Sequence, residues 1–215
     1  MHPVITVFAA SPDEGRGLAR DMPVRWAMEE VGQRYEVMPV TFVEMKAEAH
    51  LARQPFGQIP VFEEGELVLF ESGAIVLHIA EAGSGLLPDD ASGRARVVAW
   101  MFAAVGSIEP VVVQRESAIY LEGDEPWHEE RLAIVEDRIA DRLGELARAL
   151  GEADWLVGDF SAADILMVQI LRRLEDSSLI ELHANLSAYV ERGKARPAFQ
   201  RAFAAQKAFF ERRYD

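Results

Sequence analysis

The stretch Gln54-Pro55-Phe56-Gly57-Gln58-Ile59-Pro60-Val61-Phe62, followed by Leu69-Phe70-Glu71-Ser72-Gly73-Ala74-Ile75, decides the fold. A short apolar strand is entered through a proline, and a second strand ends in an acid and a hydroxyl where a helix can begin. Pro60 has no N–H to donate to a sheet, so neighbouring backbone groups are left free to bind something else. Glu71 and Ser72 lie where a helix N-terminus offers unpaired N–H groups, which suits a bound carboxylate.

These two motifs together resemble the glutathione-binding half of the glutathione S-transferases. In that resemblance Ile59-Pro60 stands for the family's cis-proline, and Glu71-Ser72 stands for its grip on the γ-glutamyl group. Taken alone, each motif is better explained as an edge strand or an ordinary helix cap. Their occurrence together, at this spacing, favours the family.

The composition describes a globular chain of 215 residues, half of them hydrophobic, which excludes intrinsic disorder and allows one large domain or two small ones. No apolar run approaches the roughly 20 residues that span a bilayer. The N-terminal residues lack the pattern of a signal peptide, so we expect a soluble cytoplasmic protein.

Charge and cysteine content exclude several classes of function. The net charge of −14, without a dense basic cluster, argues against binding to nucleic acid or to a membrane surface. The chain has no cysteine, so disulfides, thiolate metal sites and a cysteine nucleophile are ruled out. Its five histidines show no ligand-like spacing, and we expect no metal.

The first 83 residues alternate between strand and helix patterns in the order β-α-β-α-β-β-α, which matches a thioredoxin-like α/β domain over residues 1–83. Glu63-Glu64-Gly65-Glu66 predicts a hairpin turn with a glycine available for positive φ. The predicted strands are Val4–Phe8, Tyr35–Phe42, Ile59–Phe62 and Leu67–Phe70, and the predicted helices are Met22–Val31, Glu44–Arg53 and Ser72–Glu81.

The rest of the chain is helical in period. A stretch rich in glycine, aspartate and proline, Ala82 to Gly93, predicts an interdomain linker over residues 84–93. An all-α helical-bundle domain should then cover residues 94–215. Its first two helices are predicted over Arg94–Leu121, with a kink at Pro110, and over Pro126–Leu150.

Phe160-Ser161-Ala162-Ala163-Asp164-Ile165 predicts a helix start of a specific kind. Ser161 and Asp164 can form a capping box, with Phe160 and Ile165 as a hydrophobic staple. This is a folding signal, and it resembles the same feature of the glutathione transferases. With Trp155–Asp159, Asn185–Tyr189 and Ala195–Phe199, the resemblance extends from about Ile5 to Phe203.

The resemblance implies a glutathione site in the first domain. Glu71 and Ser72 would bind the γ-glutamyl group, and the backbone of Ile59, beside Pro60, would pair with the cysteinyl backbone like an added strand. Gln58 would add a polar contact. Lys46 and Arg53 are candidates for the glycyl carboxylate, although solvated surface cations explain each of them equally well.

The group that activates the glutathione thiol departs from the family's tyrosine and cysteine types. Phe8 stands at the end of the first strand, where tyrosine-type enzymes have their phenol. The serine-type arrangement points to Ser11, in the long loop from Ala9 to Asp21, whose hydroxyl can donate to the thiolate and lower its pKa. Ser11 can equally be a turn residue. Arg16 and Arg20 are alternative sources of a positive field.

A second substrate would meet the thiol against the first helix of the second domain. Met101, Phe102, Val105 and Ile108 are the predicted wall of that electrophile pocket, although such a stripe is more often plain core. The sequence does not identify the second substrate.

The resemblance implies a homodimeric transferase with glutathione as co-substrate and small electrophiles as partners. The expected interface elements are the Glu66–Phe70 strand, the Ser72 helix and the Arg94 helix. The alternatives are a non-catalytic binding or regulatory module of the same fold, and a glutathione-dependent isomerase, dehalogenase or peroxidase.

Overall fold

A computed structural model describes residues 2–211. Residues 1 and 212–215 lie outside it, and with them Tyr214 and the outer ends of the predicted domains 1–83 and 94–215. The chain forms two compact units. In the described part, the first unit comprises residues 2–87 and 195–211, and the second comprises residues 88–194.

The first unit is built on a four-stranded mixed sheet in the order β2-β1-β3-β4. β1 runs parallel to β2 and antiparallel to β3, and β3 pairs antiparallel with β4. This arrangement, with its helices, confirms the thioredoxin-like prediction. The strands are β1 Val4–Phe8, β2 Glu36–Val40, β3 Val61–Glu64 and β4 Leu67–Phe70, and the helices are α1 Met22–Glu30, α2 Glu48–Leu51, α3 Ser72–Ala82 and, from the end of the chain, α9 Pro197–Glu211.

Differences from the predicted elements have local causes. β3 begins at Val61 and not at Ile59, because Pro60 has no N–H to give to the ladder. β2 is shorter than predicted, because its five residues match the five of β1. The predicted helix over 44–53 divides into a 3-10 turn, Glu44–Lys46, and the one-turn α2, because Ala47 between them is extended (φ −73°, ψ 149°). The hairpin turn is confirmed, with Gly65 at φ +61°.

Helix α9 packs in the first unit, although the sequence groups it with the helical domain. Trp26 of α1 meets Phe199 edge to face, with 5.0 Å between ring centroids. Arg196 donates through Nε and Nη2 to both carboxylate oxygens of Glu30, at 2.6 and 2.8 Å. These contacts attach α9 to α1, the helix that follows the long loop after β1.

The second unit is all helical, as predicted. Helix α4 begins inside the predicted linker, because Asp90 accepts the N–H of Gly93 at 2.8 Å and caps it. The kink expected at Pro110 stays a prediction; a π-helical turn, Ala104–Ile108, precedes Pro110, whose ring would collide with a regular preceding turn. The helices are α4 Ala91–Ala103, α5 Glu109–Tyr120, α6 His128–Leu150, α7 Ala162–Arg172 and α8 Ala184–Lys194.

The helical stretch Ala91–Tyr120 is long enough to cross a membrane, and an 18-residue window within it is apolar enough, with a mean hydropathy of 1.6. The uncharged run inside this stretch, Val97–Ile108, ends at Glu109, so it stays well short of the roughly 20 residues that span a bilayer. Core helices of globular proteins have the same composition, and Val97, Ala104 and Val112 of this stretch are fully buried in the second unit.

The predicted capping box at the start of α7 is confirmed, and Asp164 does more than close it. Its carboxylate accepts the Ser161 N–H at 2.9 Å, the Leu156 N–H at 3.0 Å and the Tyr189 hydroxyl at 2.8 Å. Burial raises the pKa of the Asp164 carboxyl, while these bonds oppose the rise by stabilising the charged form. Asp164 is fully buried and joins α7, α8 and the loop before α7.

Replacing Asp164 by alanine should destabilise the protein by at least about 2 kcal/mol, because several buried donors lose their acceptor. Asp137→Ala is the matched control, since Asp137 is exposed on α6 and its loss should change stability by less than about 0.5 kcal/mol. Urea unfolding of both variants checks this. Equal stabilities of the two would show that the Asp164 network does not stabilise the fold.

Candidate functional site

One end of the sheet collects the elements that carry the predicted site. The parallel register pairs Phe8 with Val40, so β1 and β2 end together. The antiparallel registers place the start of β3 beside the end of β4, since Val61 pairs with Phe70. Because Ile5 pairs with Phe62, the start of β3 also lies toward the end of β1. We call this the Phe8 end of the sheet.

The Ile59–Pro60 peptide bond at this end is cis, as predicted. Ile59 is 4% exposed and packs in a small cluster with Val40 and Met45, against which Phe8 lies. The segment before β3 is therefore fixed by packing. Its backbone stands outside the sheet ladder, where an extended ligand can pair with it.

The loop leading to Ile59 is held from two sides. Lys46 donates through Nζ to the Gly57 carbonyl at 3.1 Å. The Nε2–H of His50, a residue only 2% exposed, donates to the Gln58 carbonyl at 2.8 Å. Sequence reasoning considered His50 only as a metal ligand and missed this anchor. A buried histidine eight residues before its hydrogen-bond partner carries no pattern that reveals that partner.

Glu71 and Ser72 stand where the sequence placed them, at the start of α3. Glu71 adopts φ +68° and ψ 114°, and the first N–H bonded within the helix is that of Ile75. The earlier N–H groups of α3 are thus available to an acceptor. Within residues 2–211, neither the Glu71 carboxylate nor the Ser72 hydroxyl has a hydrogen-bond partner. Glu71 and Glu14 are the two described non-glycine residues with positive φ, and such outliers concentrate at ligand sites.

The two candidates for a glycyl carboxylate are engaged differently. Arg53 donates through Nη1 to Glu63 of β3 at 2.9 Å, away from the start of that strand. Lys46 is exposed and touches the loop before Pro60. Lys46 therefore lies nearer the Phe8 end of the sheet than the Arg53 guanidinium does.

The long loop after β1 is organised by Asp13, a residue that sequence reasoning did not single out. The Ser11 hydroxyl donates to Asp13 Oδ1 in a short hydrogen bond. The same carboxylate accepts the backbone N–H groups of Gly15 at 3.1 Å, Leu18 at 2.5 Å and Ala19 at 3.1 Å. Asp13 is 8% exposed. The sequence signal was only Ser-Pro-Asp, which is typical of any turn.

The remaining predicted residues occupy varied surroundings. Arg16 is exposed and donates through Nε to the Asp13 carbonyl at 3.2 Å, and Arg20 is partly buried. Of the predicted electrophile wall in the second unit, Met101 and Ile108 are buried in the core, whereas Phe102 is exposed and Val105 partly so. The assignment of that wall stays a prediction.

In chemical terms, the Phe8 end of the sheet offers a carboxylate, a helix N-terminus, unpaired extended backbone and a hydroxyl. These groups suit a ligand that has an ammonium, a carboxylate and a peptide backbone. Within the described residues, no cluster of three histidine, aspartate or glutamate side chains is arranged to hold a metal ion.

Family models match both halves of the chain. One, described as the N-terminal domain of glutathione S-transferase, matches residues 14–81, and another, described as its C-terminal domain, matches residues 114–205. A protein from Zea mays named Glutathione S-transferase 4 is 31% identical over 217 residues, covering 91% of this chain and 90% of its own. One from Arabidopsis thaliana named Glutathione S-transferase F14 is 30% identical over 190 residues, covering 81% and 75%.

Solved structures show the same fold. A glutathione transferase family member from Pseudomonas fluorescens, crystallised with two glutathione molecules bound, has a TM-score of 0.83 at 24% identity, covering 94% of this chain and 92% of its own. Glutathione transferase F7 from Populus trichocarpa has a TM-score of 0.82 at 24% identity, covering 95% and 99%.

Proposed function

The chain belongs to the glutathione S-transferase superfamily, and we propose that it conjugates the thiol of glutathione to small apolar electrophiles. One observation carries the proposal. The register of the sheet brings the Ile59–Pro60 backbone, the start of α3 at Glu71 and the Ser11 loop to one end of the first unit. The glutathione bound in the Pseudomonas fluorescens structure supports the choice of ligand.

In the proposed binding mode the tripeptide lies across the Phe8 end of the sheet. The Glu71 carboxylate accepts the γ-glutamyl ammonium, while the Ser72 hydroxyl and the N–H groups of α3 bind its carboxylate. Ile59, beside Pro60, pairs its backbone with that of the cysteinyl residue, and Gln58 adds a polar contact. Lys46 takes the glycyl carboxylate in preference to Arg53, because Arg53 is already paired with Glu63.

Ser11 is proposed to stabilise the thiolate. A hydroxyl has one hydrogen to donate, and in the structure Ser11 donates it to Asp13. For thiolate stabilisation the hydroxyl turns from Asp13 to the sulfur, exchanging one charged acceptor for another. Asp13 keeps three backbone donors after that turn, so its buried carboxylate remains satisfied.

A homodimer is proposed on the hairpin side of the first unit. Phe56 is 64% exposed and touches Phe70, and Leu67 and Val68 of β4 are exposed beside it. Exposed apolar side chains that adjoin one another mark interfaces more often than isolated ones do. Met101, Phe102, Val105 and Ile108 are kept as the proposed electrophile wall, and a cytoplasmic location is kept as a prediction.

A second candidate is a non-catalytic glutathione-binding module of the same fold. Phe8 in place of a phenol, and the Ser11 hydroxyl engaged by Asp13, favour it. A glutathione-dependent isomerase, dehalogenase or peroxidase uses the same glutathione site with a different second reaction.

Measuring enzymatic turnover distinguishes the transferase from the binding module and from the other glutathione-dependent enzymes. Purified protein with glutathione should accelerate the reaction of at least one apolar electrophile among an activated aryl halide, an alkyl halide, an α,β-unsaturated carbonyl and an organic hydroperoxide. Product identity distinguishes conjugation from halide release, isomerisation or peroxide reduction. Binding of glutathione without acceleration of any of these reactions would favour the binding module.

Replacing Glu71 by alanine should weaken glutathione binding by about 1.5–3 kcal/mol, or roughly 10- to 150-fold, because the ligand ammonium loses its charged partner. Glu66→Ala is the control, since it makes the same change of net charge at an exposed position of the hairpin. Calorimetry on both variants gives the comparison. Wild-type affinity in Glu71→Ala contradicts the site assignment.

Ser11→Ala should raise the pKa of the bound thiol by about one unit, equivalent to about 1.4 kcal/mol, if the hydroxyl stabilises the thiolate. The pH–rate profile shows this shift, while glutathione affinity measured below that pKa stays nearly unchanged. Ser84→Ala, in an exposed loop, is the control. An unshifted profile with an undiminished rate transfers the role to Arg16, Arg20 or the N-terminus of α1.

A further inference from the structure

The loop that carries Ser11 is one hydrogen-bonded body centred on the Asp13 carboxylate. That carboxylate binds the Ser11 hydroxyl and the backbone N–H groups of Gly15, Leu18 and Ala19. A carboxylate has two oxygens and about four acceptor positions, and here four donors occupy them. A displacement of residues 15–19 therefore moves Asp13, and with it the loop backbone that carries Ser11, two residues earlier in the chain.

The same loop is fitted closely against helix α9. Gly15 and Gly17 both have positive φ, at +76° and +72°. A Cβ added at Gly17 would lie 2.6 Å from Cδ2 of Phe203, and one added at Gly15 would lie 3.2 Å from Cδ1 of Phe210. The loop backbone thus rests on two aromatic rings of α9, at distances that leave no space for a methyl group at Gly17.

Helix α9 is in turn fixed to the start of α1, where the loop ends. Gln206 donates through Nε2 to Asp21 Oδ1 at 3.2 Å, and Arg25 donates through Nε to Asp21 Oδ2 at 2.6 Å. The three side chains are each at least 96% buried. Ser11 shares a cleft with all three of them and with Phe209 and Phe210.

Two polar atoms of this cluster are not satisfied by it. Arg25 Nη2 and Gln206 Oε1 are buried without a hydrogen-bond partner among the described residues. Both residues bind the same Asp21 carboxylate, and both line the cleft that Ser11 also lines. Groups of this kind are costly in a purely structural contact.

We propose that helix α9 sets the position of the loop from which the Ser11 hydroxyl reaches the sulfur, so that Phe203, and Asp13 through its bonds to the N–H groups of Gly15, Leu18 and Ala19, are positioning residues for thiol activation. The proposal rests on the proposed role of Ser11. The order of contacts is Phe203 to Gly17, then the loop backbone to Asp13, then Asp13 to Ser11. The charged groups around Ser11 in this arrangement are Asp13, Asp21 and Arg25, with Arg16 bound to the Asp13 carbonyl.

Gly17→Ala tests the proposal against a matched control. Both Gly17 and Gly32 have positive φ, +72° and +69°, so alanine imposes the same backbone cost at each. Only at Gly17 does the added methyl meet a neighbour, because nothing lies within 4 Å at Gly32. A difference between the two variants is therefore attributed to contact of the added methyl with helix α9, chiefly with Phe203 and at 3.3 Å with Gln206 Oε1.

We expect Gly17→Ala to lower kcat by about tenfold to a hundredfold, the size of a small misplacement of a catalytic group, with a raised thiol pKa in the pH–rate profile. The dissociation constant of glutathione should stay within about twofold of the wild-type value, because a change confined to thiol activation does not alter the contacts that bind the rest of the ligand. Gly32→Ala should leave the profile unchanged. Replacing the phenylalanine ring by the smaller leucine side chain, in the double variant Gly17→Ala/Phe203→Leu, should restore part of the rate. Equal profiles for Gly17→Ala and Gly32→Ala overturn the proposal.

Two further variants separate this proposal from the role of Ser11. In a Ser11→Ala background, Gly17→Ala should shift the thiol pKa no further, because the two changes act on one group. If Ser11→Ala has no effect while Gly17→Ala does, α9 positions a different group and the role of Ser11 fails. If Ser11→Ala shifts the profile and Gly17→Ala does not, only the α9 proposal fails. Should Gly17→Ala not fold, Phe203→Ala gives the same readout, and a wild-type profile in that variant overturns the proposal.

Discussion

The pairing of β3 with its two neighbours is the constraint on which the first unit depends. Pro60 has no N–H, so the ladder begins at Val61, and the register Val61 to Phe70 follows from the two-residue turn at Gly65. Val61 and Phe62 are buried on opposite faces of the sheet, and a slip of one residue would move each side chain to the other face. The same register that buries these side chains also brings Pro60 and Glu71 to one end of the sheet. Packing and site geometry are therefore two results of one alignment of strands.

In each unit, one buried aspartate accepts hydrogen bonds from several donors at a place where the backbone is irregular. Asp164 gathers donors from its own helix start, from Leu156 and from Tyr189, and Asp13 gathers four donors from a single loop. In each case one carboxylate replaces the regular hydrogen bonding that the local backbone lacks. Asp164 closes a helix, whereas Asp13 makes an irregular segment behave as one piece.

Features set by nearby residues could be predicted from the sequence. The capping box at Ser161, the turn at Gly65 and the helix start at Ser72 each depend on a few adjacent side chains, and all three are present. The whole strand and helix order of the first 83 residues followed from short-range periodicity in the same way. Element ends were less accurate, because a strand such as β2 is limited by the length of its partner.

Features set by distant partners could not be predicted. His50 meets a carbonyl in a loop, and Gln206 meets Asp21 across 185 positions of sequence, with no local pattern to announce either contact. Asp13 was hidden for a different reason, since Ser-Pro-Asp is compatible with any ordinary turn. The packing of α9 in the first unit also depends on distant residues. An amphipathic period shows that one face of a helix is buried, but it does not identify the element that covers that face.

The backbone conformation of Glu71 is unfavourable for a glutamate, although the proposed ligand contact needs its carboxylate. Its φ of +68° suits glycine far better than glutamate, and a residue held in such a region costs of order 1–3 kcal/mol. A search for stabilising changes would rank glycine first here, since glycine adopts this conformation readily. That change would also delete the carboxylate at the start of α3. With Glu71 in its proposed ligand-binding role, this position would combine a locally unfavourable backbone with a useful side chain, which is the usual form of a stability–activity trade-off.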